Sequence, residues 1–563
     1  MVRMARPDSK AAVVAAAQYR ADATAELLAA MQGWWAHRAA AAGLTGRWLE
    51  VSSVLDTPSP SFTAGEELSD LHLRSGHELG QAYVQTIAPA TRVRHGQHYT
   101  PADLADYVWS QTRQALGWGK ADYRIPGLLR DPAAGAGALL LPPLREHLRA
   151  CVADDPALTL SRLPQLVEGV ELDEVGAWVG SIILAAEMLP TLARVPARSR
   201  RLLPALIRVG DGLSTDLQPA KIAIMNPPYG RVALDDATRT RFSHALYGHA
   251  NIYGLFMAEA ARNLAVDGVM TALVPTSFAA GLYQHRLRGF LSSEAPMSSI
   301  AFVADRSGAF NGVLQETCIA VFQRRRQRKT SVSRISGHIE EVASIVQPRT
   351  EGPWLIPRES SDASIAAAAA KLPLTLGDAG YHASTGPLVW NRRRYDISAR
   401  AAKSRKMIVW GADIEGGVIS RSQARDKQRY LTLHGPRDVE VMVLTEAAVL
   451  VQRTTAPEQP RRLVAAELTA EQLAAFGGGI VVENHVNVLR PTMLVPLISN
   501  ATLARVLNTH TLDRVLRCLS GTVAVSSYEL AALPLPGADV IAAWEGLSGE
   551  DLEAAVAREY RLR

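Results

Sequence analysis

The chain has 563 residues, enough for roughly three or four domains of common size. Hydrophobic residues make up 48% and charged residues 20%, a globular composition that excludes a wholly disordered or fibrous protein. The net charge of +5 is compatible with a polyanionic partner but does not demonstrate one.

The cysteines and the apolar runs indicate the cellular compartment in which the protein is expected. Cys151, Cys318 and Cys518 are far apart, so no disulfide framework or cysteine-based zinc site can be read from them. No apolar run reaches the roughly 18–20 uncharged residues of a membrane helix. The alanine-rich start, 11–42, is broken by charged residues and lacks the layout of a signal peptide. We therefore expect a cytoplasmic, multi-domain protein.

Residues 1–90 are predicted to be helical. Apolar residues recur at helical spacing through Ala12–Trp35 and again through Leu68–Ile87. Pro58 and Pro60 lie in the gap between these stretches and are typical of a break.

Residues 91–330 are predicted to form an α/β domain. Short apolar runs alternate with amphipathic stretches such as Val175–Leu189 and Tyr253–Leu264. This alternation predicts a mostly parallel sheet with helices on both faces, where ligands bind beyond the carboxyl ends of the strands. The predicted strands are Gly127–Arg130, Leu166–Leu172, Leu206–Val209, Ile222–Met225, Val269–Val274, Ile300–Val303 and Cys318–Phe322.

Residues 331–563 lose this regular alternation. The basic stretch Arg324–Lys329 before them is interpreted as a solvated linker, and the alanine run Ala366–Ala370 as helix surface or linker. Residues 391–430 contain 11 Lys and Arg against 4 Asp and Glu. This concentration of positive charge is typical of a phosphate-contacting surface.

A glycine-rich turn is the first chemical signal. The segment Asp131–Gly137 (DPAAGAG) follows a predicted strand and precedes a helical stretch. Its glycines allow a tight turn and a close approach of ligand to backbone. The next two predicted strands end near Glu171 and Asp211, and an acid after the second strand suits a ribose diol. Any one acid could be a loop residue or helix cap, but three along one edge favour a ligand site.

The strongest signal is Asn226-Pro227-Pro228-Tyr229-Gly230, which follows a β-like run. Two successive prolines cannot continue a central strand, so they hold an extended loop at the sheet edge. The Asn226 amide oxygen and a neighbouring backbone carbonyl could both accept from one amino group, and Tyr229 offers a flat face for stacking. A simple proline-rich turn, with Tyr229 as packing, is the less favoured interpretation.

These segments resemble a known family. Asn226–Tyr229 resembles the Asn-Pro-Pro-Tyr signature of S-adenosylmethionine-dependent amino-methyltransferases, and 96–105 (GQHYTPADLA) resembles the motif before the cofactor loop in DNA adenine-N6 methyltransferases. That motif order is the gamma arrangement of type II modification enzymes. Asp131–Gly137 is similar to the cofactor loop, with Ala134 and Ala136 where many members carry Cys and Ser.

The resemblance implies a three-part architecture. It predicts a helical N-terminal region at 1–90, a Rossmann-like S-adenosylmethionine-dependent methyltransferase domain at 91–330, and an α+β target-recognition domain at 331–563. Looser similarity to recognition regions lies in 384–391, 451–456, 483–485 and 519–522.

The resemblance also implies residue roles. Asn226 and the Pro227 carbonyl would accept both N–H bonds of an adenine N6 amino group, so that its lone pair can attack the sulfonium methyl; Pro228 and Tyr229 complete the catalytic segment. Such catalysis depends on positioning and electrostatics and requires no metal. Among the cofactor residues, Glu171 would bind the ribose and Asp211 the adenine amino group, with Thr100 and Asp131 near the methionine end. The full cofactor set is Thr100, Asp131, Ala133, Gly135, Gly137, Glu171, Asp211 and Asn226.

A duplex substrate requires the target base to leave the stack. Tyr229 and Phe310 are the stacking candidates, although Phe310 could equally be core. Arginine reads guanine edges or contacts phosphates. The expected partners are double-stranded DNA and a separately encoded restriction endonuclease, with the protein a monomer or dimer. The arginines predicted as plausible DNA contacts are Arg392, Arg393, Arg394, Arg405 and Arg453.

Several alternatives stay open. The chain could methylate amino groups of RNA or glutamine of proteins, or be a catalytically silent DNA-binding protein on the same fold. A fused nuclease is disfavoured because about 90 N-terminal residues are small for one. Cytosine-C5 chemistry is disfavoured because no cysteine follows a proline, as its usual thiolate nucleophile does.

Overall fold

The computed structural model describes residues 10–59, 74–89, 92, 99–214, 217–303, 316–325, 327–455, 459–519 and 524–561. The chain divides into two compact units. The first comprises Met1–Pro275, Arg286–Thr330 and Ile335–His338, and the second comprises Thr276–His285, Ser331–Arg334 and Ile339–Arg563. The N-terminal helices thus share a unit with the main sheet, while the domain boundaries at 90 and 330 stay predictions.

The α-helices of the described residues are given in chain order. They are α1 (Lys10–Ala41), α2 (Gly76–Gln85), α3 (Ala102–Ala115), α4 (Leu141–Ala150), α5 (Pro156–Leu166), α6 (Glu174–Arg194), α7 (Asp236–Arg241), α8 (Ile252–Arg262), α9 (Ser277–Ala280), α10 (His285–Glu294), α11 (Ala363–Ala369), α12 (Pro436–Met442), α13 (Ala470–Ala475), α14 (Asn500–Leu507), α15 (His510–Leu519), α16 (Ser527–Ala531), α17 (Ala538–Ala543) and α18 (Gly549–Glu559).

The strands follow the same order. They are β1 (Leu129–Asp131), β2 (Val167–Glu171), β3 (Ile207–Val209), β4 (Ala220–Met225), β5 (Arg231–Val232), β6 (Ala250–Asn251), β7 (Leu264–Pro275), β8 (Met297–Val303), β9 (Thr317–Gln323), β10 (Lys329–Ile335), β11 (Ile339–Val346), β12 (Leu374–Thr375), β13 (Tyr381–Thr385), β14 (Ile397–Ser398), β15 (Arg405–Val409), β16 (Ile414–Glu415), β17 (Val418–Ile419), β18 (Tyr430–Thr432), β19 (Val443–Leu444), β20 (Ala448–Gln452), β21 (Ala465–Leu468), β22 (Ile480–Val482), β23 (Val486–Pro491) and β24 (Pro534–Leu535).

The main sheet of the first unit contains strands in the order β8–β9–β7–β4–β1–β2–β3. From β7 to β3 all neighbours are parallel, whereas β9 is antiparallel to both β7 and β8. The predicted α/β class is therefore confirmed, and every predicted strand is present. The largest difference is at β7, which begins at Leu264 rather than Val269, so that the predicted helix before it ends at Arg262.

Helix α6 is the best-buried helix beside this sheet. Among the described residues it alone is long and apolar enough to cross a bilayer by length and composition, and 83% of its most apolar window is buried inside the fold. It packs closely on the turn after β1 at Gly180, where a Cβ would lie 2.9 Å from the backbone carbon of Ala136. A side chain at Gly180 would push α6 away from that turn.

The N-terminal helices pack into the same hydrophobic core. The side chains of Trp34 and Trp35 on α1 are fully buried, and the Trp35 indole N–H donates to the Trp48 carbonyl at 2.8 Å. Helix α2 begins at a capping box, in which Ser75 and Glu78 bond each other's backbone N–H. A Cβ at Gly76 would lie 2.8 Å from the Ile183 side chain, so α2 is in close contact with α6.

The second unit is α+β, as predicted. An antiparallel sheet β13–β23–β20–β21 and a mixed sheet β14–β18–β15–β22–β19 accompany short helices. The prediction of helix surface or linker for Ala366–Ala370 is partly wrong: α11 covers the run through Ala369 and Ala367 and Ala370 are exposed, but Ala366, Ala368 and Ala369 are buried. Alanine fits where two elements approach closely, and its short side chain carries no polar signal of exposure.

The basic stretch is exposed at Arg324, Arg325, Arg328 and Lys329, as the solvated-linker interpretation predicted, but both its ends are structured. Arg324 donates to the Leu264 carbonyl at 2.6 Å and pairs with Glu294, which anchors it to the first unit. Lys329 begins strand β10.

Candidate active site

The carboxyl ends of four neighbouring parallel strands, β3, β2, β1 and β4, meet at one edge of the sheet. Polar residues lie at or just after each end: Asp211, Glu171, Asp131 and Asn226, respectively. A cavity of about 290 Å³ opens at this edge. Its lining residues are Tyr83, Val84, Ile87, Pro132, Ala133, Gly135, Val170, Glu171, Leu172, Gly210, Asp211, Gly212, Leu213, Asn226, Pro228, Ile252 and Phe256.

The predicted cofactor residues divide into two groups. Ala133, Gly135, Glu171, Asp211 and Asn226 line the cavity, whereas Thr100, Asp131 and Gly137 do not. The structure thus brings most of the predicted set together. The remaining three act on the geometry of their neighbours, as their contacts indicate.

The turn after β1 depends on its two glycines. Gly135 and Gly137 have φ angles of +52° and +80°, a conformation that side-chain-bearing residues rarely adopt. The Gly135 N–H donates to Oε2 of Glu171 at 2.9 Å. A Cβ at Gly137 would lie 3.2 Å from the Ile207 side chain, so Gly137 permits close packing of the turn.

Asp131 ends β1 with a side chain that is almost completely buried. Its Oδ1 accepts from the Ala133 N–H at 3.0 Å. Burial raises the pKa of this carboxyl to about 7, because a buried carboxylate loses its hydration, and the nearby charge of Glu171 acts in the same direction. Asp131 is therefore an acid that changes protonation near neutral pH.

Glu171 is held by the backbone on both carboxylate oxygens. Oε2 accepts from Gly135, and Oε1 accepts from the Asp173 N–H at 2.9 Å. Burial raises the pKa of Glu171, while these N–H bonds act against the rise by stabilising the carboxylate. The side chain therefore faces the cavity in one fixed orientation.

The loop after β3 forms the opposite wall. The Gly210 N–H donates to the Glu171 carbonyl at 2.9 Å, and Oδ1 of the exposed Asp211 accepts from the Leu213 N–H at 2.9 Å. A Cβ at Gly212 would lie only 1.8 Å from the Pro132 carbonyl oxygen. No other residue fits at Gly212 without displacing one of the two loops that form the cavity.

Asn226 is the first residue after β4, and both ends of its amide are fixed. Its Nδ2 donates to Oγ1 of Thr100 at 2.9 Å, and its Oδ1 accepts from the Tyr229 hydroxyl at 2.8 Å. Oδ1 keeps a second lone pair for another donor. Thr100, which the family resemblance puts near the methionine end of a cofactor, is in contact with the predicted catalytic asparagine.

Tyr229 is half-buried and supports Asn226. Its hydroxyl also lies 3.2 Å from the Leu273 carbonyl, and its ring meets Tyr253 edge-on with 6.4 Å between centroids. Burial raises the pKa of the hydroxyl, so it remains a neutral donor. This hydroxyl contact was not predicted from the sequence, whereas the stacking role of the ring stays a prediction.

Sequence reasoning missed the helical walls of the cavity. Tyr83 and Val84 come from α2 and Ile87 from the turn after it, while Ile252 and Phe256 come from α8. Tyr83 and Ile87 are one helical turn apart, and this spacing predicts that they share a face of a helix. It does not predict which part of the protein that face contacts. A helix of the N-terminal region therefore contributes directly to the site.

Some predicted residues lie outside the described part of the chain. Phe310, the second stacking candidate, is one of them, as are 96–98 of the motif before the cofactor loop.

The basic segment 391–430 belongs to the second unit. Arg392 and Arg394 are exposed on two short 3-10 turns, and the guanidinium of Arg394 lies 4.6 Å from the ring centroid of Tyr395. Arg393 between them is half-buried and pairs with both Asp396 and Asp438.

The other two predicted DNA-contacting arginines are bonded within the second unit. Arg405 donates to Oγ of Ser398 and to the Arg400 carbonyl, each at 3.0 Å. Arg453 donates to the Asn484 carbonyl at 3.0 Å. Some of the arginines that the sequence predicts to contact DNA therefore donate hydrogen bonds to the backbone of their own unit.

A buried ion pair organises the rest of the segment. Arg429 and Asp413 have side chains only 3% and 2% exposed and lie 2.8 Å apart. Asp413 also accepts from the N–H groups of Trp410 and Ser422. The chain from 410 to 429 is therefore folded around one carboxylate.

The three cysteines are buried, as expected for packed thiols. Burial raises the pKa of Cys518 to about 12, so this thiol stays protonated.

No family model matches the chain. It is 27% identical over 328 residues to the type II methyltransferase M.PstI of Providencia stuartii, covering 56% of this chain and 64% of that protein. It is 22% identical over 342 residues to the type II methyltransferase M.BsuBI of Bacillus subtilis, covering 58% of this chain and 68% of that protein. The chain is similar to type II methyltransferases. It spans less than two thirds of the length of M.PstI.

A solved structure shares the fold. The type IIL restriction-modification enzyme MmeI, determined in complex with DNA, superimposes with a TM-score of 0.53 at 12% identity, covering 92% of this chain and 82% of that one. The parallel order of β7 to β3 and this superposition confirm the predicted Rossmann-like fold. The similarity to M.PstI and M.BsuBI confirms the resemblance to type II methyltransferases.

Proposed function

We propose that this protein is a site-specific DNA methyltransferase that moves a methyl group from S-adenosylmethionine to adenine N6 in duplex DNA. The observation that carries the proposal is the Asn226 carboxamide, held by Thr100 and Tyr229 in the lining of a cavity that Glu171 and Asp211 also line. Similarity to two type II methyltransferases supports it.

The cavity fits the chemistry of the proposed cofactor. The Glu171 carboxylate can accept from ribose hydroxyls, Asp211 from an adenine amino group, and Phe256 and Ile252 offer apolar contact for a ring. Thr100 is bonded to Asn226, and Asp131 is bonded to Ala133 of the cavity lining. When bound there, S-adenosylmethionine supplies an electrophilic methyl group.

The chain's own contribution is to position the nucleophile. An adenine amino nitrogen is a poor nucleophile because its lone pair is delocalised into the ring. The free lone pair of Asn226 Oδ1 and the Pro227 carbonyl accept its two N–H bonds, and Pro228 stiffens the segment between them and Tyr229. The amide needs no reorientation during the reaction because Thr100 and Tyr229 already hold it.

A base in a duplex cannot reach this loop, so we propose that it is flipped out of the stack. The ring of Tyr229 and that of Phe310 are the proposed faces that hold it. Exposed Arg392 and Arg394 are the proposed phosphate or base contacts. Arg405 and Arg453, being bonded to the backbone of the second unit, would contact DNA only with the N–H groups that remain.

The biological setting follows from the same proposal. The protein would act in the cytoplasm as the modification half of a restriction–modification system, alongside a separately encoded endonuclease, as a monomer or dimer. Its modification would protect the sites that the nuclease cleaves.

The test is a methylation assay with labelled S-adenosylmethionine on duplex DNA, RNA and protein, followed by single-molecule sequencing of the DNA. We expect label in DNA, at adenine N6 within one sequence context. Label in RNA or protein alone would contradict the proposal, and cleavage of unmodified DNA by the pure chain would show a fused nuclease.

A further inference from the structure

Three elements of the first unit converge on one carboxylate, that of Asp173. Arg20 of α1 forms an ion pair with its Oδ2, and the Tyr83 hydroxyl of α2 donates to the same oxygen at 2.7 Å. Asp173 also caps α6, since its Oδ2 accepts from the Gly176 N–H at 3.3 Å. Both N-terminal helices are thus tied to the start of α6 at a single point.

This point is directly connected to the cavity. The Asp173 N–H donates to Oε1 of Glu171 at 2.9 Å, and both Glu171 and the Tyr83 ring line the cavity. A Cβ at Gly176 would lie 2.4 Å from the Tyr83 hydroxyl oxygen and 3.3 Å from Cγ of Glu171, so the space between them is full. A shift of Asp173 must therefore move Glu171.

We propose that Arg20, Tyr83 and Asp173 are positioning residues for the cofactor, and that docking of α1 and α2 is energetically coupled to cofactor binding. The inference rests on the proposed function, because it takes Glu171 as the ribose-binding acid. It adds residues outside the known motifs, and it gives the N-terminal helices a role in the site.

Charge balance explains the need for Arg20. Burial is the main cause that raises the pKa of Glu171, and the charge of Asp173, separated from it by one residue, acts in the same direction. Arg20 supplies the opposite charge from α1, so detaching the helix leaves the two carboxylates uncompensated. Coupling of this kind is reciprocal: if α1 docking favours the cofactor, the cofactor must favour α1 docking to the same extent.

The first test is calorimetric binding of S-adenosylhomocysteine to the full chain and to R20Q, Y83F and D173N. In Y83F the ring still forms part of the cavity wall and only the hydroxyl is lost. In D173N the amide oxygen can still cap α6. We expect each variant to bind roughly three- to tenfold more weakly, because only part of the free energy of the lost hydrogen bond is transmitted to the cofactor site. E26Q, on an exposed part of α1, is the matched control and should bind as the wild type does.

The second test is hydrogen exchange of the α1 amides. Saturating S-adenosylhomocysteine should slow exchange through 10–41 in the wild type and in E26Q but not in R20Q. Equal affinity and equal protection in all variants would overturn the positioning role while leaving the proposed function intact. A wild type that binds no S-adenosylhomocysteine would overturn the proposed function and this inference with it.

Discussion

The cavity edge and the basic segment 391–430 use charged residues in opposite ways. At the cavity, Glu171 and Asp131 are bonded to backbone N–H groups of short turns, and this bonding points Glu171 at the ligand space. In the basic segment, Arg393 and Arg429 are bonded to carboxylates of their own unit. Acids at strand ends therefore indicate a site, whereas an excess of arginine partly reflects internal structure.

The comparison shows that not every arginine counted in a basic segment is available at the surface. Arg393 holds the turn from which its neighbours Arg392 and Arg394 are exposed. The paired arginines thus support the backbone that presents the exposed ones. Only the exposed members can contribute fully to phosphate binding.

Substitution of Asn226 should have the largest effect. Asn226→Ala removes the proposed acceptor for the target amino group, and we expect methyl transfer to fall at least about 100-fold. Binding of S-adenosylhomocysteine should persist, because the backbone and Glu171 hold the cavity. Gln165→Ala, at an exposed position of α5 outside the cavity, is the control. Full activity of Asn226→Ala would remove the proposed mechanism.

The internal role of the basic segment is tested at Arg429. Arg429→Met leaves Asp413 buried without its cation, and we expect a loss of about 3–5 kcal/mol in the free energy of unfolding. The matched change Arg421→Met breaks an exposed pair with Asp426 and should leave the free energy of unfolding almost unchanged, because water screens an exposed pair. Urea denaturation measures both. Equal small losses would mean that this segment is not organised by its buried pair.

The buried acid at the cavity predicts a pH dependence. The pKa of Asp131 is raised from 3.8 to about 7 in the folded protein, so the folded state retains a proton that the unfolded state has released. The stabilisation from this carboxyl is complete below the unfolded pKa and is lost as pH rises through about 7.

Thermal unfolding measures this effect. As pH rises from about 5 to about 8, we expect the Tm of the wild type to fall relative to the Tm of Asp131→Asn. Comparison with the variant cancels the contribution of other groups. A difference that does not change over this range would show that Asp131 is ionised throughout.

The smallest expected effect is at an exposed arginine. Arg394→Ala should weaken binding to duplex DNA a few-fold and reduce the slope of log affinity against log salt by about one, with no change in Tm. Arg558→Ala, exposed on α18, should leave DNA affinity unchanged. An unchanged salt slope in Arg394→Ala would show that this turn does not contact phosphate.

Local patterns made much of the site predictable. The β1, β2 and β4 strands could be read from short apolar runs, and Asp131, Glu171 and Asn226 follow because parallel strands end at a common edge. The bond between Thr100 and Asn226, which are 126 residues apart, could not be predicted. Nor could the burial of Ala366, since alanine is found equally in helix surfaces and in close helix packing.

By itself, the sequence determined the strand order along the chain, the turns that need glycine and the chemistry of the residues at the strand ends, because these depend on neighbours within a few positions. Only the tertiary structure decided that α2 forms a wall of the cavity, that Arg20 and Tyr83 meet at Asp173, and which arginines are exposed. Such contacts join residues far apart in the chain. Their geometry follows from how whole helices and sheets pack, which local periodicity does not encode.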